Sequence, residues 1–137
     1  MGHLIHIDFG FILGISPGGN LGFETASFKL TTEMVELLGG ASSDAYHTFV
    51  LMAVRGFLAA RHVMEPILAC VSSFADSGLP CFTWRKNTIS SLRERFFPLE
   101  TTTVAGSKFR SSIERSRTSL STKGYDAAQF ALHSTFY

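Results

Sequence analysis

Cysteine, charge and long apolar runs are all scarce in this chain. Only two cysteines, Cys70 and Cys81, occur in 137 residues. They build no disulfide framework and are expected as reduced thiols, the condition of the cytosol. No apolar run reaches the roughly 18 residues of a membrane span, and the N-terminus lacks a signal-peptide pattern. Charged side chains are 17% of the total, a low share that suits surfaces covered by further protein. The basic residues are not interleaved with a stacking aromatic platform and no recognised nucleic-acid motif occurs, so a nucleic-acid partner is not expected. Neither the Walker A spacing nor the dinucleotide fingerprint is present. No internal repeat is visible. A local absence matters as much: residues 11–28 contain no Lys or Arg, and Glu24 is their one charge.

What the chain does have is apolar material, 45% of its residues, enough for one modest globular domain with a core. The net charge of +1 hides an asymmetry. Residues 1–82 sum to −4, residues 83–123 to +6, and Asp126 makes the tail −1. A basic stretch of this kind either rests on anionic lipid, where each cation near the surface contributes about 1 kcal/mol, or forms a solvated helix face. Both readings stand at this point. Residues 101–122 are also rich in Ser and Thr.

Near the N-terminus, residues 4–11 read as a buried β-strand: apolar side chains, β-branched Ile5 and Ile7, then Gly10 to let the backbone turn. Asp8 sits where that strand ends. In an Asp-Phe-Gly arrangement such a carboxylate holds the Mg²⁺ that bridges nucleotide phosphates, and the phenylalanine packs beneath it. Asp8, Phe9 and Gly10 are therefore the candidate nucleotide and metal residues. His6, two residues before Asp8, shares its strand face, but no third or fourth ligand completes a zinc set; a hydrogen-bonded core histidine is expected. Gly14, Gly18, Gly19 and Gly22 read as bending points of a surface loop rather than a phosphate cradle.

Beyond residue 30 the pattern is helical. Thr31 or Thr32 caps a short helix that Gly39 and Gly40 end. Ser42 or Ser43 caps the next, over about 44–61, with Phe49, Met52, Ala53, Gly56 and Ala60 as its buried face. A third helix is expected over 63–75, with Pro66 tolerated in its first turn, and residues 77–80 break it. A fourth spans 87–97 and stops at Pro98. A helix is also expected within 101–120 and a last one over 125–133. Met34, Met52 and Met64 are expected as core fillers.

Three blocks of residues carry a specific resemblance. They are the opening Gly2-His3-Leu4-Ile5-His6-Ile7-Asp8-Phe9-Gly10, the exit Gly22-Phe23-Glu24 with Phe28-Lys29-Leu30-Thr31, and the helix end Glu33-Met34-Val35-Glu36-Leu37-Leu38-Gly39-Gly40. Together they resemble the activation segment of phosphatidylinositol 4-kinases of the type III beta kind, in the phosphoinositide 3-/4-kinase superfamily. Weaker echoes run through Ala59-Ala60-Arg61, Leu79-Pro80-Cys81-Phe82, Leu92-Arg93-Glu94-Arg95-Phe96 and Tyr125-Asp126. The resemblance implies an α+β fold, a mostly helical C-lobe of a lipid-kinase domain with one short strand at its N-terminus. It divides residues 1–137 into a metal-site strand at 4–11, an activation segment at 10–31 and a helical region at 32–137. The family's catalytic loop, roughly Asp-Arg-His-Asn-x-Asn, and its ATP-binding N-lobe are not among these residues. The expectation is accordingly a C-terminal kinase piece, inactive alone, with Met1 a chance start and no catalytic residue of its own. From Thr101 to Arg117 the chain departs from the family's acidic amphipathic helix.

The resemblance also implies ATP and Mg²⁺ as cofactors and phosphatidylinositol in a membrane surface as substrate. The 4-hydroxyl would be phosphorylated, at a cytoplasmic, peripheral location on intracellular membranes, Golgi included. Ser16, Pro17, Gly18, Gly19, Asn20 and Lys29 are the candidate substrate contacts. A kinase gripping an already phosphorylated inositol needs cationic donors for the extra phosphates, and residues 11–28 supply none. The alternatives are a class III-like phosphatidylinositol 3-kinase and a non-catalytic interaction or membrane-binding module.

Overall fold

The computed structural model describes residues 5, 12–15, 28–84 and 86–118. Among these there are six helices and no strand: α1 (Thr32–Leu37), α2 (Asp44–His62), α3 (Met64–Ser72), α4 (Pro80–Thr83), α5 (Thr88–Glu94) and α6 (Thr102–Thr118). The mostly helical expectation holds there. The strand expected over 4–11 falls outside the described residues except at Ile5, which is not in a strand and is 79% exposed. The helix expected over 125–133 also lies outside them.

The helix ends follow from cap chemistry. The Thr31 hydroxyl accepts the Met34 N–H at 3.3 Å and starts α1, filling one of the donors a helix start leaves open. At the other end, Gly39 donates to the Glu36 carbonyl at 2.8 Å and Gly40 to that of Val35 at 3.0 Å. This paired closure needs left-handed backbone, and both glycines have it, with φ of 86° and 88°. Three residues on, the Ser43 hydroxyl accepts the Tyr46 N–H at 3.1 Å and caps α2. Asp44 stands in the first turn of α2 and Arg61 and His62 in its last, each sign suited to the helix dipole.

The chain divides into two compact units, each discontinuous in sequence. One holds Met1–Leu21 and Met64–Pro98, the other Gly22–Val63 and Leu99–Tyr137.

In the first unit α3 packs against α5. Leu68, Cys81, Phe96 and Ile15 are buried, with Thr88 among them. Pro80 opens α4, the position where a missing N–H costs nothing, and the Thr88 hydroxyl donates to the Cys81 carbonyl. Glu65 and Arg93 form a two-point ion pair between α3 and α5, one contact being Nη2 to Oε2 at 2.8 Å. That hydrogen bonding holds Glu65 below its ordinary range and raises Arg93. Phe97, at φ 51°, ends the run just before Pro98, where a following proline disfavours further helix. The third expected helix ends at Ser72 rather than 75, and the one-turn α4 was not anticipated.

In the second unit α2 and α6 lie antiparallel: Tyr46 meets Glu114 and Gly106 faces Val54 and Leu58. Arg61 donates to the Glu100 carbonyl at 2.6 Å. The core is Leu30, Val35, Tyr46, Val50 and Ile113, flanked by Phe28, Phe49, Val54 and Phe109. The Phe57 and Phe109 rings stack at 4.4 Å. Thr101 caps α6, accepting the Val104 N–H on its hydroxyl at 3.3 Å. Two expectations are corrected here. The buried face of α2 runs through Tyr46, Val50, Val54 and Phe57, with Phe49 and Ala53 beside it, while Met52 and Gly56 are exposed. Met34 and Met52, expected as core, are 49% and 66% exposed.

Candidate functional site

Of the residues the sequence singled out, Asp8, Phe9, Gly10, Ser16, Pro17, Gly18, Gly19 and Asn20 lie outside the described residues. Lys29 lies within them, as do two short pieces of residues 10–31, the expected activation segment.

The first piece is a tight turn at 12–15. Ile15 donates its N–H to the Ile12 carbonyl at 3.2 Å, and the two central residues, Leu13 and Gly14, have φ of 54° and 90°. These are the φ values of a type I′ turn. Gly14 takes this geometry freely, whereas Leu13 is strained in it; burial of Ile15, 8% exposed, offsets that strain.

The second piece is the segment's exit. Phe28 lies against Phe109 of α6, ring centroids 6.4 Å apart. Leu30 is buried in the core of the second unit and Thr31 caps α1. With both neighbours directed inward, Lys29 is exposed on the outer side. The apolar residues on either side thus fix the backbone from which a cationic side chain projects.

A further feature was not read from the sequence. A groove of about 430 Å³ runs along α2 and α6 in the second unit. From α2 come Tyr46, His47, Val50, Leu51 and Val54; from α6 come Arg110, Glu114 and Arg117. The Tyr46 hydroxyl donates to Glu114 Oε1 at 3.2 Å, and Arg117 Nε donates to Glu114 Oε2 at 3.0 Å. Burial, and then the Glu114 carboxylate beside it, push the Tyr46 phenol above its ordinary value of 10, with Arg117 opposing. The sequence signal was available: Arg110, Glu114 and Arg117 at i, i+4 and i+7 lie along one helix face.

Among the described residues no group of three His, Cys, Asp or Glu side chains is placed to hold a metal ion. No helix there is long and apolar enough to cross a membrane. Cys70 is exposed and Cys81 buried, both as free thiols.

Sequence comparison defines the class to which these features belong. The model of the phosphatidylinositol 3- and 4-kinase family matches residues 1–84, and the chain belongs to that family. Within it, phosphatidylinositol 4-kinase STT4 of Saccharomyces cerevisiae is 46% identical over 129 residues, 93% of this chain and 7% of the relative. Phosphatidylinositol 4-kinase alpha 2 of Arabidopsis thaliana is 44% identical over 133 residues, 95% of this chain and 25% of the relative. Phosphatidylinositol 4-kinase beta of Rattus norvegicus is 42% identical over 130 residues, 94% of this chain and 16% of the relative. Alpha and beta forms are both represented, and the chain spans a quarter or less of each of these three.

Proposed function

We propose that this chain is the activation-segment and helical part of a phosphatidylinositol 4-kinase, which transfers the γ-phosphate of ATP to the inositol 4-hydroxyl. The observation that carries this reading is the 42–46% identity to phosphatidylinositol 4-kinases over 93–95% of the chain. The residues add the substrate's charge class. A segment whose only charge from 11 to 28 is Glu24 offers nothing to neutralise further phosphates on the inositol ring. Unphosphorylated phosphatidylinositol is the fitting substrate.

In this reading the kinase works with ATP and Mg²⁺, and Asp8 would hold the ion, with Phe9 packed below and Gly10 permitting the turn. The ion supplies charge neutralisation on the phosphates. Ser16, Pro17, Gly18, Gly19 and Asn20 would shape the loop that meets the headgroup. Lys29, exposed beside the buried Leu30, would meet the phosphodiester phosphate. The base for the inositol hydroxyl would come from the family's Asp-Arg-His-Asn-x-Asn motif, which is not among these residues. Phosphoryl transfer depends mainly on positioning and charge, so the chain alone is expected to be inactive. Association with membrane would be peripheral, on a cytosolic face.

The test is a chimera in which residues 1–137 replace the matching part of rat phosphatidylinositol 4-kinase beta. It is assayed with labelled ATP on phosphatidylinositol vesicles, and the products are separated by headgroup position. The expected product is the 4-phosphate, abolished by Asp8→Ala and absent with the 137-residue chain alone. A 3-phosphate product would favour the class III-like 3-kinase. A folded chimera without turnover would leave only a non-catalytic module.

A further inference from the structure

We propose that the α2–α6 groove is a docking site for an acidic, amphipathic helical segment of a partner protein, independent of lipid phosphorylation. The groove has two unlike walls. On α2, Leu51 is 58% exposed, next to half-buried Val54 and the buried Val50, so it is the open apolar contact on this wall. On α6, Arg110 is exposed and makes no hydrogen bond or ion pair among the described residues, whereas Glu114 and Arg117 are engaged with each other. The ridge from Arg110 to Arg117 is about 10 Å long, seven residues at 1.5 Å each. That length accepts two turns of a helix with its apolar stripe on Leu51 and a carboxylate on Arg110.

Charge decides between occupants. A bilayer surface gains from several cations presented together, each adding a similar increment. Here Glu114 lies between the two arginines and neutralises one of them, so the groove offers one available guanidinium beside the exposed Leu51. That pattern complements a single carboxylate carried next to a leucine-like side chain. His47, also lining the groove and exposed, would add a second donor for that carboxylate.

The probe is a fluorescein-labelled, acetylated 15-residue helical peptide with Leu and Glu on one face, with Gln and Lys analogues, titrated into the full chain by anisotropy. The Glu peptide should bind about tenfold more tightly than the Gln peptide, as expected for a specific charge contact, and the Lys peptide should bind least. Arg110→Glu should reverse the order, making the Lys peptide the tightest, and Leu51→Ser should weaken all three. Both sites are exposed, so circular dichroism should be unchanged. Equal binding of the three peptides, no binding of the Glu peptide, or indifference to Arg110→Glu would overturn the proposal. So would recruitment of the chain to phosphatidylserine vesicles through Arg110, or a Leu51-dependent dimer in sedimentation.

Discussion

Removing one oxygen from Tyr46 tests whether α2 and α6 are joined as described. Tyr46→Phe deletes the donor to Glu114 and leaves the ring in place, 2% exposed in the core, so no cavity forms. A hydrogen bond to a charged group contributes about 1.5–3 kcal/mol. At 3.2 Å this one is longer than the usual hydroxyl contact, and Glu114, its side chain 43% exposed, can take water in exchange. The expected loss is therefore at the low end, about 1–1.5 kcal/mol, or roughly tenfold in the folding constant. Urea unfolding of the wild type, Tyr46→Phe, Glu114→Gln and the double variant should give a coupling of about 1 kcal/mol. The pH dependence supplies a second sign. The fold raises the Tyr46 phenol above 10.0, so its contribution is complete below that pH and is lost as pH rises beyond it. Wild-type stability should fall more steeply than that of Tyr46→Phe on the alkaline side. A neutral or stabilising Tyr46→Phe, or zero coupling, would refute the pairing of these helices through Glu114.

Two small-residue predictions follow from the same unit. A methyl group on Gly106 would meet Leu58 and Val54 at 3.6 Å, ordinary contact, so Gly106→Ala should be stable to within about 1 kcal/mol of wild type or better, given alanine's helix preference. Gly106→Leu should lower the thermal midpoint by several degrees, because overpacking forces the helices apart. The Ser116 hydroxyl is buried with no hydrogen-bond partner among the described residues; Ser116→Ala should raise stability by about 1 kcal/mol in urea unfolding, and a loss would mean that the hydroxyl is satisfied.

Local chemistry made the first two helices legible. Thr31, Ser43 and the Gly39-Gly40 pair act within a few residues of themselves, and the structure uses each as its type suggests. The buried face of α2 was harder, because spacing alone allowed a stripe through Met52 and Gly56. The choice was made by α6, some fifty residues away, whose Gly106, Phe109 and Ile113 meet Val54, Phe57 and the Tyr46 core. The helix over 102–118 was foreseen only within a Ser/Thr-rich stretch. Four of its five buried residues are small, Ala105, Gly106, Ser112 and Ser116 beside Ile113, and small size is what lets this helix approach α2. The site residues were named from motifs in the sequence. Of its named residues only Lys29 falls among those described, where its exposure follows from two inward neighbours.

The division into interleaved units has a consequence for any attempt to shorten this chain. Every continuous stretch that contains α2 and α6 also contains α3, α4 and α5. Stopping at residue 84, where the family match ends, would remove Ile113 and Phe109 and leave Tyr46 and Val50 facing water. The smallest piece able to keep the core behind Lys29 closed is therefore longer than the piece that carries the family's recognisable signature. It also closes late, since α2 must wait for some forty intervening residues to be made before its partner helix arrives.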